Sequence, residues 1–279
     1  MNTVDINKAW NNLYNRLQQE NLILSQKKMK SISALHYVAA VALFLILVAT
    51  SLYITLQSGI ETTDLLAKTN NETDNILVTT LEDGSTIYLS EHSSLFYPEI
   101  FAPDKRKVRI VGTVLFDVSS ESKRPFWVET EQASVKVLGT SFSVTSTDNK
   151  TFELSVQRGK VEVFNKLNKE SIIVEAEEMV RLQSNHFLKS RDIKTNTNTS
   201  TFTTFTQKMR FKDERLGDIL KVIENTTGVN IILMDKSLVN RTLTVAFENN
   251  TPDSMIEILC FALNLKSVQK QDGIYISPS

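Results

Sequence analysis

The chain has 279 residues, with 31 Lys and Arg against 32 Asp and Glu, which leaves a net charge of −1. At about 150 residues per domain this length predicts two domains, and the balanced charge argues against nucleic-acid binding, which needs a basic surface. One cysteine, Cys260, and 3 scattered histidines exclude an internal disulfide and a cysteine-based zinc cluster, so we expect neither a metal nor a cofactor.

Residues 1–33 contain the first predicted element, an amphipathic helix that begins after a candidate capping residue, Asp5. At about 100° per residue its apolar side chains share one stripe: Ile6, Trp10, Leu13, Tyr14 and Leu17. A single helix has no core of its own and is marginal in water, so this stripe needs a partner. The membrane surface is one candidate, but only Lys8 and Arg16 flank the stripe, and a lipid-binding face usually carries more basic residues. We therefore favour a protein partner and predict that the stripe binds it.

A membrane span is predicted next, because residues 34–56 contain no Asp, Glu, Lys or Arg. As a helix this stretch would be about 34 Å long, enough to cross a hydrocarbon core of about 30 Å. Lys27, Lys28 and Lys30 precede it, so the positive-inside rule places the N-terminus in the cytoplasm. A cleaved signal peptide is the alternative, but a lead of 33 residues and so long an apolar run exceed its usual dimensions. The prediction is an uncleaved, single-pass anchor.

Residues 57–75 are polar and predict a stem, and residues 76–190 carry many short stretches rich in Val, Ile and Phe. Within TTLEDGSTIYLS, Asp83-Gly84 separates two alternating runs, which is a strong hairpin signal. Glu82 and Asp83 are interpreted as turn charges, and Glu177 and Glu178 as solvated charges at a strand edge. Short strands separated by turns predict an all-β domain, either an antiparallel sandwich or a β-solenoid-like roll.

Residues 191–206 are rich in Thr and predict a linker, although their Thr and Phe content could also support an extended strand. In residues 207–279 a strand–helix–strand pattern recurs after 36 residues. The repeat aligns apolar positions: Phe211 with Phe247, Ile219 with Met255, Leu220 with Ile256, Ile223 with Leu259 and Val229 with Leu265. Thr251 is the predicted N-cap of the second helix, Gly228 the predicted end of the first, and Cys260 a buried apolar residue. The two copies predict a small α+β domain with its helices on one face of a sheet.

Five stretches of the predicted β domain form a recognisable pattern: LEDGSTIYLSEHSSLFYP (81–98), RIVGTVLFDV (109–118), RPFWVET (124–130), VKVLGTSFSV (135–144) and VQRGKVEV (156–163). They resemble the periplasmic domain of FecR-type iron-dicitrate sensors, which are membrane-spanning anti-sigma factors. The repeat at 209–277 resembles the short C-terminal domain of the Bacteroidetes members, itself similar to secretin/TonB N-terminal signalling domains. The opening AWNNLYNRL is similar to the juxtamembrane helix of the same subgroup.

This resemblance implies a relay in the bacterial inner membrane, with the N-terminus in the cytoplasm and the C-terminus in the periplasm. A TonB-dependent outer-membrane transporter would sense its ligand, an iron chelate or a glycan, and contact the periplasmic part. The cytoplasmic segment would then release or activate an extracytoplasmic-function sigma factor, without touching nucleic acid itself. Many family members have a longer, multi-helix cytoplasmic domain than the 33 residues found here, which leaves open whether sigma binding uses the whole family mode or only its last helix.

The resemblance also singles out Gly139-Thr140, because some FecR-type proteins that share this pair cut themselves there. The Thr hydroxyl attacks the preceding carbonyl, and a glycine lets the backbone adopt a strained conformation. No separate base is visible in the sequence. The other interpretation, which we favour, is a glycine that packs closely or forms a β-bulge beside an ordinary strand threonine.

Catalysis on a separate substrate is not expected, because the chain lacks the GxSxG, P-loop, GxGxxG and HExxH motifs. Six N-x-S/T sequons would suit a surface glycoprotein, although such matches arise by chance in a chain rich in Asn and Thr. The main alternative to a regulator is a single-span envelope protein with a structural or binding role.

Overall fold

The computed structural model describes residues 6–20, 41–51, 67–147, 151–191 and 205–279. The chain divides into two compact units, Met1–Thr62 and Thr63–Ser279. The predicted Asp5 cap, most of the predicted stem and almost all of the predicted linker lie outside the described residues, as do both ends of the predicted membrane span.

The first unit contains helix α1, Ile6–Gln19, and helix α2, residues 41–51. The predicted N-terminal helix is therefore confirmed, and none of its side chains is buried. Helix α2 is the described part of the apolar run 34–56. Within the described ranges, no helix combines the length and the apolar character needed to cross a membrane.

The second unit begins with an all-β domain. In chain order its strands are β1 (Ala67–Asn71), β2 (Ile76–Thr80), β3 (Thr86–Leu89), β4 (Ser93–Tyr97), β5 (Arg106–Asp117), β6 (Phe126–Glu129), β7 (Ala133–Val137), β8 (Ser141–Thr147), β9 (Thr151–Arg158), β10 (Lys160–Asn165), β11 (Ser171–Glu175), β12 (Glu178–Gln183) and β13 (His186–Arg191). The predicted hairpin is confirmed, because β2 and β3 pair antiparallel across the Asp83-Gly84 turn.

The long strand β5 belongs to two sheets and joins them. Its first half lies in the sheet β1-β4-β5-β6-β7-β10-β11, and its second half in the sheet β13-β12-β9-β8-β5-β3-β2. Gly112 lies where β5 passes from the first sheet to the second, and its φ is +100°. A Cβ there would come within 2.8 Å of the Ser93 Cα atom, so the position requires glycine. Most strand pairs are antiparallel, although β5 and β6 are parallel. The predicted all-β domain is confirmed, in the form of a nearly closed sheet.

The core of this domain lies between the two halves of the sheet, because alternate side chains of each strand point inward. Along β5, for example, Val108, Ile110 and Val114 are buried. Phe116 stacks on Phe142 of the neighbouring strand, with ring centroids 5.1 Å apart. The Val, Ile and Phe residues that predicted strands therefore also build the core.

The C-terminal part contains the predicted repeat. Its elements are β14 (Lys208–Arg215), α3 (Leu216–Thr227), β15 (Ile231–Leu233), a 3₁₀ turn (Lys236–Leu238), β16 (Thr242–Glu248), α4 (Pro252–Leu263), β17 (Leu265–Lys270) and β18 (Gly273–Pro278). Both predicted caps are confirmed: Gly228 ends α3 with a φ of 73°, and the Thr251 hydroxyl accepts the Ser254 N–H at 3.3 Å. Cys260 is buried, as predicted.

The strands of the repeat form two sheets, whereas the sequence predicted one. β14 pairs antiparallel with β16 and in parallel with β2, where Met209 to Phe211 lie beside Ile76 to Val78. β15, β18 and β17 form a separate 3-stranded sheet. The edge of β2 satisfies the backbone groups of β14, so β14 and β16 extend the sheet of the β domain.

The β domain and the repeat also share an apolar core. The β domain contributes side chains that point away from its own interior: Ile76, Val78, Tyr88 and Leu115. They pack with β14 and with the apolar faces of α3 and α4. Burial, together with the charge of Asp117, raises the pKa of the Tyr88 hydroxyl. The second unit therefore depends on contacts between segments far apart in the sequence.

Candidate functional site

Helix α1 carries the predicted partner-binding residues on one side. The exposed fractions are 78% for Ile6, 70% for Trp10, 45% for Leu13 and 56% for Tyr14, and Leu17 is half-buried. No residue of α1 is buried, so the first unit by itself does not cover this stripe. An exposed apolar surface of this kind is typical of an interaction site.

The Gly139-Thr140 pair lies between β7 and β8, where the main chain passes close to Ser120. A Cβ on Gly139 would lie 2.6 Å from the Ser120 Cα atom and 2.7 Å from its Cβ atom. The φ of Gly139 is not positive. Close packing therefore explains why this position is glycine, and φ gives no sign of backbone strain.

The Thr140 hydroxyl is buried and donates a hydrogen bond to the Lys160 carbonyl at 3.0 Å. Gly159, with a φ of +93°, packs against it, because a Cβ there would lie 2.9 Å from Thr140 Oγ1. A main-chain carbonyl is too weak a base to take up the hydroxyl proton, so this hydrogen bond does not activate a nucleophile. It holds the β7–β8 connection against the β9–β10 connection.

We expect the purified protein to run as one full-length band on a denaturing gel, identical to that of Thr140→Ala. Gly139→Ala should destabilise the second unit by about 1–3 kcal/mol, because the new methyl group overlaps the Ser120 main chain. Gly217→Ala is the comparison variant for urea unfolding: its Cβ would lie 2.7 Å from Cγ1 of Val239 and 3.4 Å from the Val239 main-chain oxygen, so a side chain and not the main chain has to move. Two fragments that disappear in Thr140→Ala would instead establish self-cleavage.

A buried ion pair that the sequence does not reveal joins Asp83 to Arg106. Their side chains are 1% and 0% exposed, and Nη1 of Arg106 lies 2.7 Å from Oδ2 of Asp83. The predicted place of Asp83 in the hairpin turn is confirmed, whereas the burial of its side chain was not predicted. A turn needs only a short polar side chain at this position, and no spacing rule connects it to an arginine 23 residues later.

Arg106 also connects this turn to other loops of the β domain. Its Nη1 donates to the Ser119 carbonyl at 2.9 Å, and its Nε donates to the Arg124 carbonyl at 2.8 Å. Its Nη2 lies 3.4 Å from the Leu138 carbonyl, next to Gly139. A buried guanidinium has five N–H donors to satisfy, so Arg106 fixes the position of three chain segments at once.

The joint between the β domain and the repeat carries a half-buried carboxylate, Glu214. Its Oε1 accepts the Thr80 N–H at 2.9 Å, and its Oε2 accepts the Thr79 hydroxyl at 3.4 Å. Burial raises the pKa of Glu214, and the hydrogen bond from the Thr80 N–H opposes that rise. The Glu214 carboxylate therefore accepts a main-chain N–H at the end of β2 that would otherwise need a carbonyl of a neighbouring strand.

The other chemistry-bearing residues lie apart from these features. His92 and His186 are exposed, and His36 lies outside the described residues. Burial raises the pKa of the Cys260 thiol. In the part of the chain that the structure describes, no group of His, Cys, Asp and Glu is placed to hold a metal ion.

Two family models match this chain over both parts of the second unit. The FecR protein model matches residues 67–162, and the FecR, C-terminal model matches residues 208–276. The chain belongs to the FecR family. Its FecR domain contains the Asp83–Arg106 ion pair and Gly139-Thr140, and its FecR C-terminal domain contains the repeat. Membership of the FecR family confirms the resemblance and supports an anti-sigma regulatory role.

Solved structures include proteins similar to this FecR chain. Two crystal structures of a "putative anti-sigma factor" from Parabacteroides distasonis ATCC 8503, at 1.65 Å and 2.50 Å resolution, match it. Each is 21% identical, covers 76% of this chain and 99% of its own, and has a TM-score of 0.46. No curated protein matches the chain.

Proposed function

We propose that this FecR-family protein is a membrane-spanning anti-sigma factor that relays a signal from a TonB-dependent outer-membrane transporter to an extracytoplasmic-function sigma factor. The observation that carries the proposal is the apolar stripe of α1, on which Trp10 and Tyr14 are exposed. A helix of this length without a core is marginal on its own, so the stripe suits a protein that covers it. The sigma factor is the partner proposed for it.

The same proposal places the protein in the bacterial inner membrane as a single-pass protein. It is supported by the uncharged run 34–56 and by the lysines at 27, 28 and 30, which favour a cytoplasmic N-terminus. Helix α1 would then face the cytoplasm, and both FecR domains would face the periplasm. The stripe and the sigma factor would thus lie in the same compartment.

On the periplasmic side we propose that the FecR C-terminal domain contacts the transporter. Helix α4 supports this role, because Phe261 is 92% exposed although Met255, Ile256 and Leu259 of the same helix are buried. An exposed aromatic side chain on a rigid element is a suitable anchor for a protein partner.

Site-specific photo-crosslinking in cells tests both contacts. A photoreactive residue is placed at position 14 or at position 261, one at a time, and the captured proteins are identified by mass spectrometry. We expect a sigma factor from position 14 and a TonB-dependent transporter from position 261, with weaker capture from position 12 on the polar side of α1. Capture of neither would favour the alternative, a single-span envelope protein with no regulatory role.

Truncation of two side chains of the stripe, Trp10 and Leu17, should weaken sigma-factor binding. Each buried Trp or Leu side chain contributes about 1.5–3 kcal/mol, so Trp10→Ala with Leu17→Ala should lower the affinity about tenfold or more. Binding of the full-length protein to the captured sigma factor is measured by interferometry, with Asn11→Ala and Asn15→Ala on the polar side as the control. A double variant that binds and regulates like the wild type would show that the stripe is not the interface.

A further inference from the structure

Strand β17 forms an edge of the small sheet in the FecR C-terminal domain. In the order β15-β18-β17 it pairs antiparallel with β18, and it has no other neighbour among the described strands. Five of its six residues are exposed. The outward main-chain N–H and C=O groups of an edge strand can pair with a strand of another chain. Such an edge is therefore either blocked by other groups or open to a partner.

The FecR domain contains a blocked edge for comparison. At β11, Nζ of Lys189 donates to the Ile173 carbonyl at 2.9 Å, and the Glu178 carboxylate accepts the Glu175 N–H at 2.7 Å. Lys189 and Glu178 also pair with each other at 2.6 Å. These two side chains occupy the place that another strand would need. Among the described residues, no side chain forms such a hydrogen bond with the main chain of β17, so its edge is open.

The outer face of this sheet carries a row of apolar side chains. Ile274 and Ile276 of β18 are buried in the shared core, so Tyr275 between them points to the opposite face. Ile232 of β15 and Val268 of β17 both lie opposite Tyr275, and the row therefore crosses all three strands. Val268, at the open edge, is 51% exposed. Because side chains of neighbouring strands contact each other on one face, a strand added beside β17 would extend this row.

Two lysines of β17 lie on the same face as Val268. Side chains alternate along a strand, so Lys266 and Lys270 point to the side of Val268. Neither lysine is in an ion pair with a described residue, and Nζ of Lys270 lies 3.9 Å from the centroid of the Tyr275 ring. The Asp272 carboxylate attracts Lys270 but already accepts the Tyr275 O–H at 2.7 Å. The open edge therefore presents a positive charge on each side of an exposed valine.

These lysines disfavour a second copy of the chain as the occupant of this edge. If two copies of β17 paired antiparallel with their valines opposite each other, Lys266 of one copy would lie opposite Lys270 of the other. Like charges in these positions are destabilising, and lysines on an edge strand are a common device against self-pairing. A carboxylate opposite each lysine would instead be favourable. The partner strand that fits therefore has the pattern acid–x–apolar–x–acid.

This chain has no free strand with that pattern. The pattern occurs at residues 214–218, where β14 ends and α3 begins, and at residues 253–257, within α4. The residues at both places already belong to the fold of the FecR C-terminal domain. A segment of another protein therefore has to supply the strand.

We propose that β17 binds an extended acidic segment of another protein, which adds a fourth strand to this sheet. The main chain of the segment would pair with the open edge, and its apolar side chain would lie beside Val268. Its two carboxylates would lie opposite Lys266 and Lys270. The site is separate from the α1 stripe and from Gly139-Thr140. The proposal specifies the chemistry of the segment and not the protein that carries it, so it holds or fails independently of the relay.

Synthetic peptides test this edge on the full-length protein. The protein is reconstituted in nanodiscs of zwitterionic lipid, so that charged peptides are not attracted to the bilayer. The acidic probe is the peptide TETVTET and the basic comparator is TKTVTKT, each with a fluorophore whose anisotropy reports binding. The comparator replaces two opposite-charge pairs by two like-charge pairs. We therefore expect the acidic peptide to bind about tenfold more tightly or better. Empty nanodiscs provide the background.

Charge reversal at β17 should invert this preference. Lys266→Glu with Lys270→Glu should bind TKTVTKT about tenfold more tightly than TETVTET. Both lysines are exposed, so the thermal unfolding midpoint should stay close to that of the wild type. Lys212→Glu with Lys236→Glu makes the same change of charge at two other exposed positions of the repeat. This control variant should keep the preference of the wild type.

Methylation of the peptide main chain separates strand addition from charge attraction alone. Two versions of TETVTET are N-methylated at alternate residues, so that each version lacks the N–H donors of one of its two edges. We expect the version that lacks the donors facing β17 to bind about tenfold more weakly than the unmodified peptide. The other version should bind about as tightly as the unmodified peptide.

Three results would overturn the proposal. The first is that TETVTET does not bind the wild-type protein at millimolar concentration. The second is that the variant with both lysines of β17 reversed keeps the preference of the wild type. The third is equal binding of the unmodified peptide and of both methylated versions, which would show that the main chain of the peptide does not pair. None of these results depends on the identity of the sigma factor or of the transporter.

Discussion

Replacing Asp83 by asparagine should lower the unfolding free energy of the second unit by about 3–5 kcal/mol, because it removes the buried carboxylate that pairs with the buried Arg106 guanidinium. The partly exposed Glu121, whose Oε2 lies 4.0 Å from Nε of Arg106, compensates for little of this loss. The side chain of Arg106 is fully buried, and its contacts fix the hairpin turn, the loop after β5 and the end of β7. Urea unfolding of a fragment covering residues 63–279, which form one compact unit, measures the effect.

Glu153→Gln is the matched control, because Glu153 pairs at 2.6 Å with an exposed arginine, Arg181. An exposed pair contributes about 0–1 kcal/mol, so this variant should unfold close to the wild type. The double variant Asp83→Asn with Arg106→Met should lose less than the sum of the two single variants, because it leaves no unpaired charge. A loss below about 1 kcal/mol in Asp83→Asn would contradict the importance of the pair.

Truncation after residue 206 should destabilise the FecR domain and make it associate with itself. Removal of the FecR C-terminal domain exposes a set of side chains that it now covers: Ile76, Val78, Tyr88 and Leu115. Burial of one such side chain contributes about 1.5–3 kcal/mol, so the loss amounts to several kcal/mol. The truncation also turns β2 into an open edge, which invites pairing with another chain. Light scattering coupled to size-exclusion chromatography of fragments 63–206 and 63–279 measures the change.

Polar substitutions on the newly exposed face provide the control for this truncation. Val78→Thr with Leu115→Thr should reduce the self-association of the short fragment, because they reduce the exposed apolar area while the edge of β2 stays open. The same pair should destabilise the long fragment, in which both positions are buried. A short fragment that is monomeric and as stable as the long one would contradict the shared core.

This shared core also determines how the proposed contact with the transporter can be tested. A deletion of residues 207–279 that abolishes the response would not distinguish a lost docking surface from a damaged FecR domain. Photo-crosslinking at position 261 avoids this difficulty, because Phe261 lies on the exposed side of α4 and outside the shared core.

The features that the sequence predicts are those set by neighbouring residues. The stripe of α1 follows from the helical period, since Trp10, Leu13 and Tyr14 recur every three or four residues. The caps at Gly228 and Thr251 follow from the chemistry of residues at helix ends. The Asp83-Gly84 hairpin follows from turn geometry. In each case the interacting residues lie within a few positions of one another, so the feature can be predicted from the local sequence.

The α1 stripe was accordingly found from sequence, whereas the open edge of β17 was not. That edge exists because β17 pairs with β18 alone, while β15 lies on the other side of β18. The period of 2 in a strand shows which faces are apolar, but it does not show which edges meet. The burial of Asp83 could not be predicted for a similar reason, because its partner Arg106 is distant in the sequence.

The sequence by itself determined the all-β domain, the strand–helix–strand repeat and the apolar stripe of α1, because hydrophobic period, turn residues and caps are local properties of the chain. Only the tertiary structure decided that β14 extends the sheet of the FecR domain and that Arg106 neutralises Asp83. Strand pairing and charge burial depend on which distant segments exclude water from each other. That choice is made by the packing of the whole unit, because no single segment can satisfy its own edge hydrogen bonds or desolvate its own charge.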